Sequence, residues 1–540
     1  MFNFSQIKKH SAKIIIGAIV LLGALSYANA LPGEMLYDDT IGIRDNAYIK
    51  DWQYWPKFFS EPLTAGAGIS GNYWRPTLLI IYSLGWHAWG SWVVGYHAIN
   101  IIIHILNAIL IFYLLRKLFS REIPAAIAAI IFTIHPVQTE SVTYISGLGD
   151  PLSLLLSLIG ATFFLRWRSK IALAGHNWLN YAVMIVVFLL ALMTKERSVI
   201  FPGIILLIDL FIWKISEYPQ TNFWSFAKKS FWRVLPLAVI AAGFLLMRGT
   251  ILNFQNTFNL YNTSTYYTEH ISARILTFLH VVPTYFSILL RPLDLHMNHS
   301  SEIAIITTAR DSGVLLGAAI LLILINLAAY TWKKNPAYSF GILWCFLMMF
   351  PISGIIVPVA GILYEHYLYA PIIGLAYICG LAICDLYQKY NNRLMGIVLS
   401  LSGAVIILIL ISLTIGQNLI WRDGITFYNH TLRYAPKDFS IINNLGLAYA
   451  EAGDLKRAEE TFLSALSLNM YLPMAHYNLG DIYYRTGRTN QAISEYSLAM
   501  RLSPQSFFPY RALRQLYLDN KQPQEAAAID RAWQYNRRQH

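Results

Sequence analysis

Long apolar runs separated by short polar breaks fill the first 416 residues, and the pattern then changes to amphipathic helices with a fixed repeat. Runs long enough to cross a bilayer as helices lie near 13–31, 93–115, 122–137, 150–166, 179–194 and 197–213. Others lie near 234–248, 311–332, 337–357, 366–386 and 394–416, which makes eleven expected spans. The run from Pro76 to Gly90 is shorter and rich in Trp, Tyr and His, so it is read as a helix lying in the interface. The stretch near 272–291 is read the same way.

Beyond residue 417 the positions Leu445, Gly446, Tyr449, Ala458, Phe462 and Ala465 recur 34 residues later as Leu479, Gly480, Tyr483, Ala492, Tyr496 and Ala499. A weaker copy carries Leu513, Tyr517 and Ala526, and a half-repeat ending in Pro436 leads in. This is the tetratricopeptide period, with small residues where paired helices touch and aromatics filling the gaps. The expected organisation is a membrane domain over 1–416, with a first outward loop at 32–92, and a repeat domain over 417–540. The repeats are expected near 439–472, 473–506 and 507–540. The fold class is all-α, polytopic in the membrane, with a C-terminal α-solenoid.

Composition agrees with the pattern: the 540 residues are 56% hydrophobic and 13% charged, with a mean hydropathy of +0.45. The net charge of +12 does not indicate nucleic-acid binding, because Lys and Arg collect at the ends of apolar runs as topology signals. The three cysteines all fall in expected spans and offer neither a disulfide framework nor metal-ligand spacing. Lys8, Lys9 and Lys13 precede the first run, and Ala28-Asn29-Ala30 resembles a signal-peptidase site; retention as a signal anchor is expected.

Basic clusters at Arg116–Lys117–Arg121, Arg166–Arg168–Lys170, Lys214–Arg233, Lys333–Lys334 and Lys389–Arg393 mark alternate breaks as cytoplasmic. The breaks carrying Asp38, His135, Lys195, the 249–310 region and Glu365 then face outward. With an odd number of spans the repeat domain faces outward too.

Candidate chemistry concentrates on that outward face. Tyr37-Asp38-Asp39 and Trp74-Arg75-Pro76 lie in the first loop. His135-Pro136, Glu140, Asp150, Lys195-Glu196-Arg197, Arg248 and Glu365-His366 lie in later ones. Arg and Lys suit a phosphate, and a carboxylate suits removal of a proton from an attacking hydroxyl. Transfer from a lipid-phosphate-linked sugar, whose tail stays in the bilayer, needs both at the membrane surface. No phosphate loop, Ser-His-Asp set or metal-ligand cluster competes. Structural roles fit several of these residues as well: Lys195-Glu196 as an interfacial ion pair, Glu365-His366 as a helix cap, His135-Pro136 as a helix terminator.

Taken together, Tyr37-Asp38-Asp39, Tyr73 to Pro76, Tyr96-His97 with Asn100 and His104, His135 to Glu140, Gly147 to Asp150, Lys195-Glu196, Pro351, Glu365 to Tyr369 and the repeats resemble one family over nearly the whole chain. It is the transmembrane-and-TPR O-mannosyltransferases, of the GT-C glycosyltransferase fold, together with their bacterial relatives. The resemblance implies a catalytic acid in the first outward loop, a polyprenyl- or dolichyl-phosphate sugar donor and inverting transfer. On that basis Asp38 or Asp39 is the general base, with Asp39 favoured, and Arg75, Lys195, Arg248, Glu365 and His366 are candidates to hold the donor phosphate. His135, Glu140, Asp150 and Glu196 are further site candidates, with no metal ligand and no certain cofactor. Gln138 stands where the family has a second His, and His366 where Arg is usual, so His366 contacts phosphate only when protonated.

The expected acceptor is a Ser or Thr hydroxyl of an exported protein presented in the repeat groove, in a bacterial inner membrane with the active loops in the periplasm. Rival readings are transfer to a glycan or lipid, and a membrane-anchored repeat scaffold without chemistry.

Overall fold

A computed structural model describes residues 11–69, 71–171, 178–215, 222–254, 265–297, 299, 303–358 and 361–538. Lys8 and Lys9 of the expected cytoplasmic N-terminus lie outside these residues. The chain divides into two compact units, 1–422 and 423–540. Helices account for all regular structure among the described residues.

Among the described residues, nine helices of the first unit are long and apolar enough to cross a bilayer. Eight of them match expected runs: Ser11–Ala30, Val93–Phe119, Ile145–Ser169, Glu196–Ile215, Phe223–Gly249, Ser312–Lys334, Ile372–Tyr390 and Arg393–Ile420. The ninth, Ile271–Leu290, was expected in the interface, but its 20 residues satisfy the same criterion. The expected run at 122–137 is a bent pair, Glu122–Ile134 and Pro136–Val142, with a 56° break at His135, where proline cannot continue the helix. The runs at 179–194 and 337–357 form the shorter helices Trp178–Leu192 and Pro336–Ile352. The expected count of eleven therefore becomes nine, or ten with the bent pair as one span.

That change removes parity as an argument for sidedness. Near the end of the last long helix, Thr414 donates to the Ile134 carbonyl at 2.7 Å and Asn418 to the Ser26 carbonyl at 2.8 Å. Two residues beyond it, the Arg422 carbonyl accepts the Glu34 N–H at 2.9 Å. The first unit thus ends on the face that carries the first loop, whatever the number of crossings.

Small residues bring the helices together. A Cβ on Gly374 would lie 2.2 Å from the Gly341 carbonyl oxygen, so the helices Pro336–Met349 and Ile372–Tyr390 meet backbone to backbone there. Phe112, Phe132, Phe164, Phe188, Phe201 and Trp344 fill the core around them. At the basic end of the bundle, buried Asp209 pairs with Arg168 at 2.9 Å and Arg233 at 2.8 Å. Two cations read as topology signals are therefore also internal clamps.

The second unit opens with Gly424–Leu432 and then stacks three helix pairs. These are Phe439–Glu451 with Leu455–Leu468, Pro473–Arg485 with Thr489–Leu502, and Phe507–Asp519 with Pro523–Arg538. Gly446 and Gly480 lie against the rings of Phe462 and Tyr496, where a Cβ would come within 2.7 Å in each case. Ala458, Ala465, Ala492 and Ala499 are fully buried at the same seams.

Candidate functional site

The first loop bends sharply at Tyr37, whose φ of 48° lies in the left-handed region that a bulky residue adopts only under constraint. Asp39 supplies the constraint. Its carboxylate is 1% exposed and accepts the N–H of Leu36 at 3.0 Å and of Ser146 at 2.7 Å, stapling the loop to the turn Ile145–Leu148. Burial raises its pKa to about 7 against the two backbone donors that favour the charged form.

Asp38 stands beside it in a different state. Its backbone N–H donates to the Tyr144 hydroxyl at 2.9 Å, while the side chain stays exposed. Crowding by the surrounding protein raises its pKa, opposed by a hydrogen bond from Tyr144 and by the charge of Arg75. The ring of Tyr144 packs on Trp421 at 5.3 Å, and its carbonyl is held by Asn100 at 3.0 Å.

Around this pair lie four cations and two carboxylates. Arg75 and Arg248 approach Glu196 at 3.4 and 4.0 Å, and Lys195 and Arg197 approach Asp150 at 2.7 and 3.3 Å. The cluster carries two more positive than negative groups when all are charged. Arg75 lies over the Tyr73 ring at 4.5 Å, and Arg197 over Tyr367 at 4.6 Å, so stacking holds each guanidinium in place. The Nε of Arg75 is buried with no hydrogen-bond partner among the described residues. Burial and the nearby Arg197 lower the Lys195 pKa to about 7 despite its bond to Asp150. Arg248 is anchored through the carbonyls of Asn72 and Leu252.

A cavity of about 50 Å³ opens beside this cluster. Asp150, Ser153, Ser157 and Arg197 line its polar side, and Ile204 and Met348 are among its apolar walls. One slot therefore presents both a cation and a hydrocarbon-compatible surface.

Other expected residues have different placements. Both oxygens of Glu140 grip His366, accepting its backbone N–H at 2.8 Å and facing its Nδ1 at 2.6 Å. The buried Glu365 carboxyl turns away from the cations, accepting the His296 N–H at 2.5 Å and meeting His299 Nε2 at 3.0 Å. Burial and the nearby Glu140 raise its pKa well above the usual carboxylate range, which favours a neutral acid. His135 caps the turn after the helix break: its Nδ1 accepts the Val137 N–H at 3.2 Å, and Nε2 lies 3.1 Å from the Leu289 carbonyl. Its role in the structure is that of the helix terminator.

The structure thus brings Asp38, Arg75, Asp150, Lys195, Glu196 and Arg248 to one face, with Glu140 and His366 beside them. Tyr144 and His299 had no signal in the sequence, because their partners are over sixty residues away. Among the described residues, no group of three or more His, Cys, Asp or Glu side chains is placed to hold a metal ion.

Known proteins resemble this chain in both units. A tetratricopeptide-repeat family model matches residues 443–507. The protein O-mannosyl-transferase F38B6.6 of Caenorhabditis elegans is 25% identical across 84% of this chain and 62% of its own length. Protein O-mannosyl-transferase TMTC3 of Homo sapiens is 24% identical across 91% of this chain and 55% of its own. Tmtc1 of Drosophila melanogaster is 22% identical across 85% and 62%. The chain thus spans 55–62% of the length of these relatives. A solved Archaeoglobus fulgidus oligosaccharyltransferase superposes loosely, with a TM-score of 0.43 and 15% identity over 77% of this chain and 56% of that one. Over most of its length the chain is similar to the protein O-mannosyl-transferases, and its C-terminal unit carries tetratricopeptide repeats.

Proposed function

We propose that this protein is a membrane glycosyltransferase that moves a sugar from a polyprenyl-phosphate carrier to a hydroxyl, a Ser or Thr of an exported protein, with inversion. The observation that carries this reading is the exposed Asp38 carboxylate beside a half-buried cluster with surplus positive charge. A phosphodiester at Arg75, Lys195, Arg197 and Arg248 puts the anomeric carbon near that carboxylate, and the slot lined by Ile204 and Met348 accepts the start of the lipid tail.

Asp38, rather than Asp39, is the general base. Asp39 is buried with both oxygens engaged, whereas Asp38 can reach a substrate. The acceptor oxygen attacks the anomeric carbon as its proton passes to Asp38. The bond from that carbon to the phosphate oxygen breaks, and its electron pair stays on the phosphate, where the cations stabilise it. One displacement inverts the carbon. Protein acceptors are supported by the relatives, which are named protein O-mannosyl-transferases, and by the repeat unit, a fold whose grooves bind peptides. The setting that fits the short outward loops is a bacterial inner membrane with the site facing the periplasm.

The test is turnover of a panel of polyprenyl-phosphate sugars by the purified full-length chain, with Asp38→Asn and Asp39→Asn alongside. Asp38→Asn is expected to lower turnover by roughly 10²–10⁴-fold, the usual worth of a general base. Full activity in that variant, or no turnover of any donor by the wild type, refutes the reading; a glycan or lipid product refutes the protein acceptor.

A further inference from the structure

The Glu140–His366 pair has a geometry that an ion pair for stability alone does not require. Glu140 holds the His366 backbone N–H at 2.8 Å and the imidazole Nδ1 at 2.6 Å, so the ring cannot turn. Tyr364 stacks on the ring at 5.1 Å, and Tyr367 meets it edge-on at 4.9 Å. The side chain is 21% exposed, and Nε2 has no hydrogen bond among the described residues. A fixed ring with Nδ1 on a carboxylate presents Nε2 as a donor once it is protonated.

The charged groups that act on this ring are Glu140 on Thr139–Val142, Asp150 at the start of Gly149–Ile171, and Lys195. Arg197 lies one ring away, over Tyr367. Glu365, the preceding residue, is turned to His296 and His299.

We propose that His366 is a protonatable ligand for the phosphate of a lipid-linked donor, oriented by Glu140, so that donor binding takes up a proton at this imidazole. This rests on the lipid-phosphate donor proposed above. Burial and the nearby Lys195 lower the His366 pKa, and Glu140 opposes them, so the ring charges more readily when an anion arrives. The sign follows by linkage. Between the free and bound pKa values the complex holds one more proton than the free protein, so affinity falls by up to about tenfold per unit rise in pH. A permanent guanidinium at this position removes that dependence, because Arg does not titrate.

The test uses farnesyl methyl phosphate, a prenyl phosphodiester whose own charge is constant over the working range. Its affinity for the full-length protein in detergent is measured from pH 6 to pH 8, with calorimetry at pH 7 in two buffers of different ionisation heat. Wild type and Lys195→Arg are expected to bind more tightly at low pH and to take up a proton. Lys195→Arg separates the contribution of Lys195, whose pKa is also near 7. In the Lys195→Arg background His366→Gln should bind weakly and His366→Arg tightly, both without pH dependence, and Glu140→Gln should flatten the profile. If His366→Gln keeps the slope of Lys195→Arg in that background, the proposal is overturned while donor turnover by the wild type leaves the enzymatic reading standing. If the wild type neither binds the probe nor turns over any polyprenyl-phosphate sugar, both fall.

Discussion

Asp39 allows a stability argument independent of catalysis. Its carboxyl titrates near 3.8 in an unfolded chain and at about 7 in the fold, because it is buried. The native state therefore holds a proton that the unfolded state has lost between these values. Stability is full below about pH 4 and declines as pH rises towards 7. At about 1.4 kcal/mol per unit the whole effect is ~4 kcal/mol, of which ~3 kcal/mol falls between pH 5 and pH 8. Asp39→Asn removes this titration but keeps the shape. Its amide has one oxygen for two backbone donors, Leu36 and Ser146, and leaving one N–H unpaired costs about 1–3 kcal/mol. The variant is thus expected to be clearly less stable than wild type at pH 5, with the gap closing or reversing at pH 8. Thermal unfolding in detergent at one scan rate, at pH 5, 6, 7 and 8, reads the difference as a few degrees. Parallel curves for the two proteins would refute the argument, since they would mean that Asp39 carries its charge at no cost in the fold.

Tyr144→Phe removes the hydroxyl that holds Asp38, one of the two influences that lower its pKa. The acid limb of the pH–rate profile should move to higher pH, and an unmoved limb would exclude this contact from the base. Arg75→Ala should raise the KM for the donor more than it lowers kcat for binding common to ground and transition states; the reverse split would place its effect in the transition state alone. Gly480→Ala drives a methyl against the Tyr496 ring and should destabilise the repeat unit by about 1–3 kcal/mol, seen as earlier proteolysis of the region beyond residue 423. Unchanged protease resistance would show that the helix pair yields freely at that seam.

Hydrophobic periodicity by itself determined that this is an all-helical membrane chain ending in 34-residue repeats, because burial in lipid and helix-pair packing both act through local composition. Clustered charge at the breaks between apolar runs also marked the neighbourhood of the candidate cluster. The span count did not follow, since hydropathy measures apolar length and neither the 56° break at His135 nor the shortness of Trp178–Leu192 is a matter of composition. Nor did the roles within Asp38-Asp39. Two adjacent acids are equivalent until the turn at Tyr37 sends one inward to the Ser146 N–H and leaves the other exposed. Glu140 and His366, 226 residues apart, became a pair only when the helix break at His135 and the turn at Glu365–Leu368 came together. Such long-range contacts depend on where the whole bundle sets each loop, and that is decided by packing among distant helices.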